Sequence, residues 1–509
     1  MTRSLVCASG AAALLLISTA AQAADKPGSV FLQCDGKPAN ITAAETTARI
    51  LVIMATAGLA GSSENADVSK RLEGANGVAA CDAALATEHD ETRRVQLTLA
   101  HAIHEIEAKN FQTALNDARS IPTVAGARAQ EHGFQRSLML SGMELEAAAL
   151  VRLGRPGEAE QVALAMGAKA PWDLLNMNRA ALYVGLTPEM TPAKRDFYAQ
   201  YVRLTPQALN IRSRSRQWGG DFAGAAADIE SLVETQAGFT AAGQPPPDPI
   251  FAATPAASWA LAGNMEKSNA LAADARARLD ERERTGKAAA SESTVSATEE
   301  LLDFQAVARL LAEGKATEAR SAFAARSRWI APSPPAVALL TERLRAGAAP
   351  EELTGALARD PAILRADGLS AKSGYITENP DGAKNLYGGI RFVVNDADFA
   401  ALSRNVWKTD KSRYLLKPTG KEKYVGEAVY MQGVIGVPAG EALLLHCALL
   451  ARSRGKTGFV LIPVRSRLDS AVVRFGVPGE QGFPVDAAFD AATVIAALSV
   501  EMPEPAKAP

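Results

Sequence analysis

The chain has 509 residues, 48% of them hydrophobic and 22% charged, with 54 Lys and Arg against 56 Asp and Glu. That balance excludes a disordered or fibrous chain and a globally basic nucleic-acid binder. Aromatic residues make up only 6%, and Ala dominates the apolar fraction, which argues against a large all-β protein because Ala favours helix over strand.

The first residues run from a basic start at Arg3 through an apolar stretch to Ala21-Gln22-Ala23. This three-part layout predicts a secretory signal peptide over 1–23, with a mature chain near Ala24 that is exported, unanchored and periplasmic. No later segment has the apolar length of a membrane span. Three cysteines then remain, Cys34, Cys81 and Cys447. In an oxidising compartment Cys34 and Cys81 are the natural disulfide, worth about 4 kcal/mol by loop closure, against the alternative of two buried free thiols. Cys447 sits in the apolar run Ala442–Leu450 and reads as an inert core thiol.

Residues 24–347 read as helix after helix, with Ala, Leu, Glu and Arg at three-to-four spacing. Within them recurs a Gly followed five positions later by Ala or Ser: Gly154 and Ala159, Gly220 and Ala225, Gly263 and Ser268, Gly314 and Ala319. A fifth copy has Lys109 in the Gly position and Ala114 as its small residue. Each follows an apolar helical stretch and precedes an Ala-rich one, so each reads as a helix–turn–helix. The Gly closes the first helix in a left-handed conformation, and the small residue lets the second helix pack closely.

Over roughly 95–330 this pattern resembles the turn and second-helix signature of tetratricopeptide repeats. The resemblance implies a mainly α protein, a TPR-like solenoid of stacked helical hairpins. The turns lie about 45, 66, 43 and 51 residues apart rather than 34, and the family's aromatic and Pro positions are mostly absent. The repeats are therefore degenerate or interrupted. Insertions are expected at 241–249 and 287–294, and the alternative architecture is a non-repeating helical bundle.

Pro332-Ser333-Pro334-Pro335 interrupts the last helix pair, and 348–384 has no clear period and reads as a linker. A small α+β domain is expected over 385–500, followed by a disordered tail at 501–509. Its strand candidates are 389–394, 424–437, 459–462 and 471–475, with a short helix at 396–405 and an apolar helix at 440–454. From 386 to 477 there are 14 Lys and Arg against 7 Asp and Glu. The excess gathers in Lys408, Lys411, Arg413, Lys417, Lys421 and Lys423, then in Arg452, Arg454, Lys456, Arg465 and Arg467. This patch suits an anionic envelope component or an acidic partner; the alternative is a face docked on the chain's own acidic helices.

Catalytic motifs fail on inspection. Ser453-x-x-Lys456 and Lys456-Thr457-Gly458 look like fragments of penicillin-binding proteins, but they share one lysine, and no Ser-Asp-Asn accompanies them. Gly455-Lys456-Thr457 follows a helix and precedes a strand, the reverse of a phosphate-binding loop. The glycines of 433–440 lack the dinucleotide spacing. His101 and His104 are a surface or groove pair rather than metal ligands, and His446 does not face Cys447 on a helix. Arg212, Arg214 and Arg216 splay around a helix as a solvated face. The expectation is a non-catalytic exported scaffold or adaptor. It binds a protein or peptide through its helical repeats and needs no cofactor, metal or nucleic acid. The alternatives are a cell-envelope enzyme or an anionic lipid- or glycan-binding module built on 385–500.

Overall fold

The computed structural model describes residues 29–38, 66–240, 247–285, 291–391, 393, 403, 406–407, 415–416, 426–430, 438–464 and 468–504. The chain forms two compact units, 1–88 and 89–509. In the first, helix Val30–Asp35 is capped by the Ser29 hydroxyl and is joined to helix Gly74–Leu85 by the Cys34–Cys81 disulfide. Both cysteines are fully buried.

The second unit is mainly helical. Five hairpins stand where the Gly-to-small spacing predicts them. Their first and second helices are Glu91–Glu107 and Phe111–Ala125, Leu138–Arg152 and Pro156–Lys169, and Ala208–Trp218 and Phe222–Phe239. Ile250–Leu261 and Met265–Thr285, then Glu292–Ala312 and Ala316–Ala324, complete the set. All five turns close in the same way. The turn residue donates its N–H to the carbonyl three back, and the next residue donates to the carbonyl five back, as in Gly154 to Val151 at 3.0 Å and Arg155 to Leu150 at 2.9 Å. This pair of bonds satisfies two carbonyls that the helix end leaves over. It requires a left-handed turn residue, and φ is +71° at Gly154, +80° at Gly220, +84° at Gly263, +77° at Gly314 and +64° at Lys109.

The small residue is equally constrained. Ala114, Ala159, Ala225, Ser268 and Ala319 are all buried to within 1%. Two hairpins show how closely their helices approach: the Ser268 hydroxyl donates to the Ala256 carbonyl at 2.9 Å, and Ser213 donates to that of Ala225 at 2.7 Å.

A Cβ built on Gly154 meets no atom within 4 Å, so only the backbone conformation opposes a side chain there. Gly154→Ala should therefore cost about 1 kcal/mol, and Lys109→Gly should gain a similar amount. Opposite shifts of the urea midpoint at unchanged slope are the expected readout.

The 66-residue interval between Gly154 and Gly220 holds two further helices, Leu174–Tyr183 and Pro192–Leu204, whose connection lacks the Gly-to-small signature. The stretch 348–384, expected to be an irregular linker, instead carries helix Pro361–Thr377, capped by Asp360, and helix Gly382–Tyr387. The proline cluster begins a helix rather than interrupting one. Ser333 caps Pro334–Arg345, and Pro334 occupies the first turn, where a missing N–H costs nothing. Helix Glu292–Ala312 likewise begins inside the expected insertion at 287–294.

The C-terminal sheet has strands β1 Leu415–Leu416, β2 Glu427–Tyr430, β3 Gly458–Pro463, β4 Ser470–Gly476 and β5 Phe489–Asp490. Their order is β1-β2-β4-β3-β5, and every pair is antiparallel. Helices Pro438–Ser453 and Ala491–Glu501 pack with one another, the first also against β3 and β4. Residues 439–451 are buried all round, as a helix without a polar face must be. The expected strand at 389–394 is absent at 389–391, where the chain is irregular; most of the expected 396–405 helix lies outside the described residues.

Among the described residues this unit has two large apolar cores and a small third cluster of Phe239, Val460, Phe483 and Ala488. One runs from helix 91–107 through helices 138–209 to Leu443, Phe459, Val473 and Leu498, so it passes through the boundary expected at 385. The second large core joins the helices between 250 and 345 around Phe304, Phe323 and Leu340. No helix among the described residues is long and apolar enough to cross a membrane.

Candidate functional site

The Gly220 turn, the end of helix 250–261 and helix 334–345 surround a cavity of about 510 Å³, with helix 361–377 along its edge. Trp218, Phe222, Leu261, Leu339 and Leu369 supply apolar walls, and Arg343 and Arg365 stand among the lining residues. This size and composition match a pocket for a small ligand or a peptide side chain. Arg365 pairs with Glu342 at 2.8 Å, whereas Arg343 is exposed and forms no ion pair among the described residues. Asp221 is already engaged, accepting from the Gly224 N–H at 2.8 Å. The Gln217 amide donates to Ser258 at 3.0 Å. The lining contains no His, Cys or Lys; it offers apolar contact, two guanidinium groups, the Asp221 carboxylate and the Gln217 amide.

Gly368 is what lets helix 361–377 come down on this site. A Cβ there would lie 2.6 Å from the Pro334 side chain and 2.9 Å from the Trp218 ring. One turn on, the Lys372 amine donates to the Val184 carbonyl at 2.6 Å, and at the helix end Arg152 donates to the Ile376 carbonyl at 3.2 Å. Both cations suit carbonyls left over at helix ends. Burial pushes both downward, Lys372 from the ordinary 10.5 to about 8. For Lys372 the pull of Glu160 opposes burial and the repulsion of Lys194 adds to it.

A depression of that size corresponds to about 3 kcal/mol against the charged amine. The native state binds the proton more weakly than the unfolded chain does. The penalty is therefore full below pH 8 and disappears as pH rises to 10.5. Wild type should gain stability relative to Lys372→Met across that window, as read from paired urea melts at pH 7 and pH 9.5.

Buried ionic clusters hold the surrounding elements. Glu160 accepts from the N–H groups of Gly185 and Thr187, from the Thr187 hydroxyl and from Lys194, which fixes the loop after helix 174–183. Arg391 reaches from the C-terminal part to Asp173 and Asn176, each at 3.0 Å. Arg474 lies over the rings of Phe239 and Phe483.

The arginine run does not form the expected solvated face. Arg212 is buried against Asp228 and Asp486, Arg216 reaches Asp228 at 3.3 Å, and only Arg214 is exposed. The histidine pair is likewise interior rather than at the surface. His101 meets Asp117 at 2.7 Å and His104 meets Glu107 at 2.8 Å, both histidines being buried. Carboxylates sixteen and three residues away make these contacts, and only the first needed the hairpin to form.

His446 donates from Nδ1 to the Val406 carbonyl at 3.0 Å, and burial pushes its imidazole down. Cys447 is fully buried, with its thiol pushed far up. Gly455, at φ +66°, closes helix 438–453 with the same two bonds as the hairpin turns, so Lys456 follows a helix end. Lys408, Lys411, Arg413, Lys417, Lys421, Lys423, Arg465 and Arg467 lie outside the described residues. The cavity itself escaped the sequence reading; its one signal was Trp218 beside a hairpin turn.

Comparison with protein-family models, curated proteins and solved structures found no match to this chain.

Proposed function

We propose that this is an exported, non-catalytic scaffold. Its degenerate TPR-like hairpins stack as a solenoid and hold a protein or peptide partner, with the cavity beside the Gly220 turn as the centre of contact. The observation that carries this reading is an apolar cavity with arginines among its lining, set between two hairpin ends and two later helices. The shared turn geometry of five hairpins supports the repeat assignment. The Cys34–Cys81 disulfide suits an oxidising compartment such as the periplasm.

The test is a photo-reactive amino acid placed at Leu339 in cells, with exposed Arg284 as the control position. The scaffold reading expects a discrete adduct at Leu339, its loss on Trp218→Ala, and none at Arg284. Equal labelling at both positions, or none at either, would overturn it.

A further inference from the structure

We infer that helix 361–377 is an internal occupant of a helix-receiving groove, and that the partner binds by laying an amphipathic helix of its own in the same place. This rests on the scaffold reading above and specifies the partner's chemistry.

The seventeen residues of this helix span about 25 Å at the usual rise. Not one of them is buried, although neighbouring helices each bury several. Its attachment face is a half-buried stripe in which the row Leu364, Gly368, Lys372 and Ile376, each about one turn past the last, runs beside Arg365, Leu369 and Ser373. Each member of the row meets a different element. Leu364 packs on the second core, Gly368 lies against Trp218 and Pro334, Lys372 reaches Val184, and Ile376 packs on the first core. The receiving surface therefore runs from helix 334–345 past the Gly220 turn to helix 138–152.

The fit is incomplete where it should be tightest. Beside Trp218 the groove widens into the 510 Å³ cavity, which Leu369 edges without filling. Polar links supply much of the remaining attachment. They are the Lys372 and Arg152 bonds to carbonyls, both cations desolvated, and the exposed Arg365–Glu342 pair. On the outer side Ile363 is 55% exposed and Tyr375 is 70% exposed. A permanent brace would bury its apolar side chains. This helix covers the groove with little apolar burial and leaves a hole in it, as a displaceable stand-in does.

The row also describes the competitor. A partner helix needs an apolar residue, a small residue four positions on to pass Trp218, a Lys or Arg four further to meet Val184, and an apolar residue after that. Beside the small residue it carries a larger apolar side chain than Leu369, one that fills the cavity.

Hydrogen exchange on the wild-type chain gives the first test. Amides of 361–377 are expected to exchange at least about 100-fold faster than those of 138–152, since a displaceable helix opens without global unfolding. Exchange of both segments at one rate would make the helix a brace and overturn the inference. The second test uses a labelled synthetic peptide of residues 359–379 as probe. It should bind Gly368→Leu at least about 10-fold more tightly than wild type, because the internal competitor no longer seats. A peptide carrying Gly368→Leu itself should not bind. If Gly368→Leu fails to fold, Lys372→Glu, which removes the Val184 bond, takes its place with the same expectation. Equal peptide affinity for wild type and variant overturns the proposal, and so does a concentration-dependent dimer of the variant, which would make a second copy the occupant. An adduct at Leu339 together with an immobile helix would leave the scaffold reading standing and remove only this one.

Discussion

Lys194→Met is expected to destabilise the larger unit by about 3–5 kcal/mol, because it strands a buried carboxylate. Lys194 is fully buried, and its amine makes three contacts: Glu160 at 2.8 Å, the Thr187 carbonyl at 2.8 Å and the Thr187 hydroxyl at 2.9 Å. Glu160 is 1% exposed and collects donors from Gly185, Thr187 and Lys194. Without the lysine its charge keeps its backbone donors but loses its buried counter-ion. The double variant Glu160→Gln with Lys194→Met should recover most of the loss, since a neutral amide still accepts from those N–H groups. Urea unfolding of the four proteins measures this directly. A double variant as unstable as the sum of the singles would show that the two residues act independently.

Arg212→Met should produce a loss of similar size, about 3–5 kcal/mol, for the same physical reason at a different junction. The Arg212 guanidinium donates from Nε at 3.1 Å and from Nη2 at 2.6 Å to Asp228, and from Nη2 at 2.5 Å to Asp486. Burial raises the Asp228 carboxyl above its usual range, and Arg212 pulls it back down. Removing Arg212 lets burial act unopposed by its largest counterweight, so the native state of the variant holds a proton that the unfolded chain releases. The sign follows. The deficit of Arg212→Met against wild type should be largest near neutrality and narrow on acidification toward the ordinary Asp range. Asp486 is 53% exposed on its side chain, so Asp486→Asn should cost no more than about 1 kcal/mol. Near-equal losses for the two variants would mean that the arginine acts on the C-terminal loop rather than on Asp228.

Local chemistry was readable in the chain alone. A glycine at the end of an apolar helical stretch has one inexpensive conformation to adopt, and four of the five hairpin turns carry it. Lys109 shows the same turn forming without glycine, where the flanking helices impose a left-handed backbone on it. Ala and Ser five positions on were readable for the same local reason: a close helix pair has no room for more. The apolar 438–453 helix and the two central strands β3 and β4 also stood where composition put them.

Helix 361–377 was hidden because half of its attachment row is Gly368 and Lys372, which no apolar period detects. The roles of Arg212, Glu160 and Arg391 were hidden more deeply. Their partners are 16 and 274 residues away for Arg212, 34 for Lys194 on Glu160, and 218 for Arg391 on Asp173. A charged side chain looks solvated until a fold removes its water and supplies a counter-ion. The overall balance of charge meets the same limit, since a near-neutral total does not say which charges are buried in pairs. Sequence by itself determined the helical class and the hairpin turns, because each follows from local conformational preference; it named Cys34 and Cys81 as a pair, and the fold brought them together. Tertiary structure alone decided which ions are buried, where the cavity opens and what lies over it, because these depend on contacts between residues far apart in the chain.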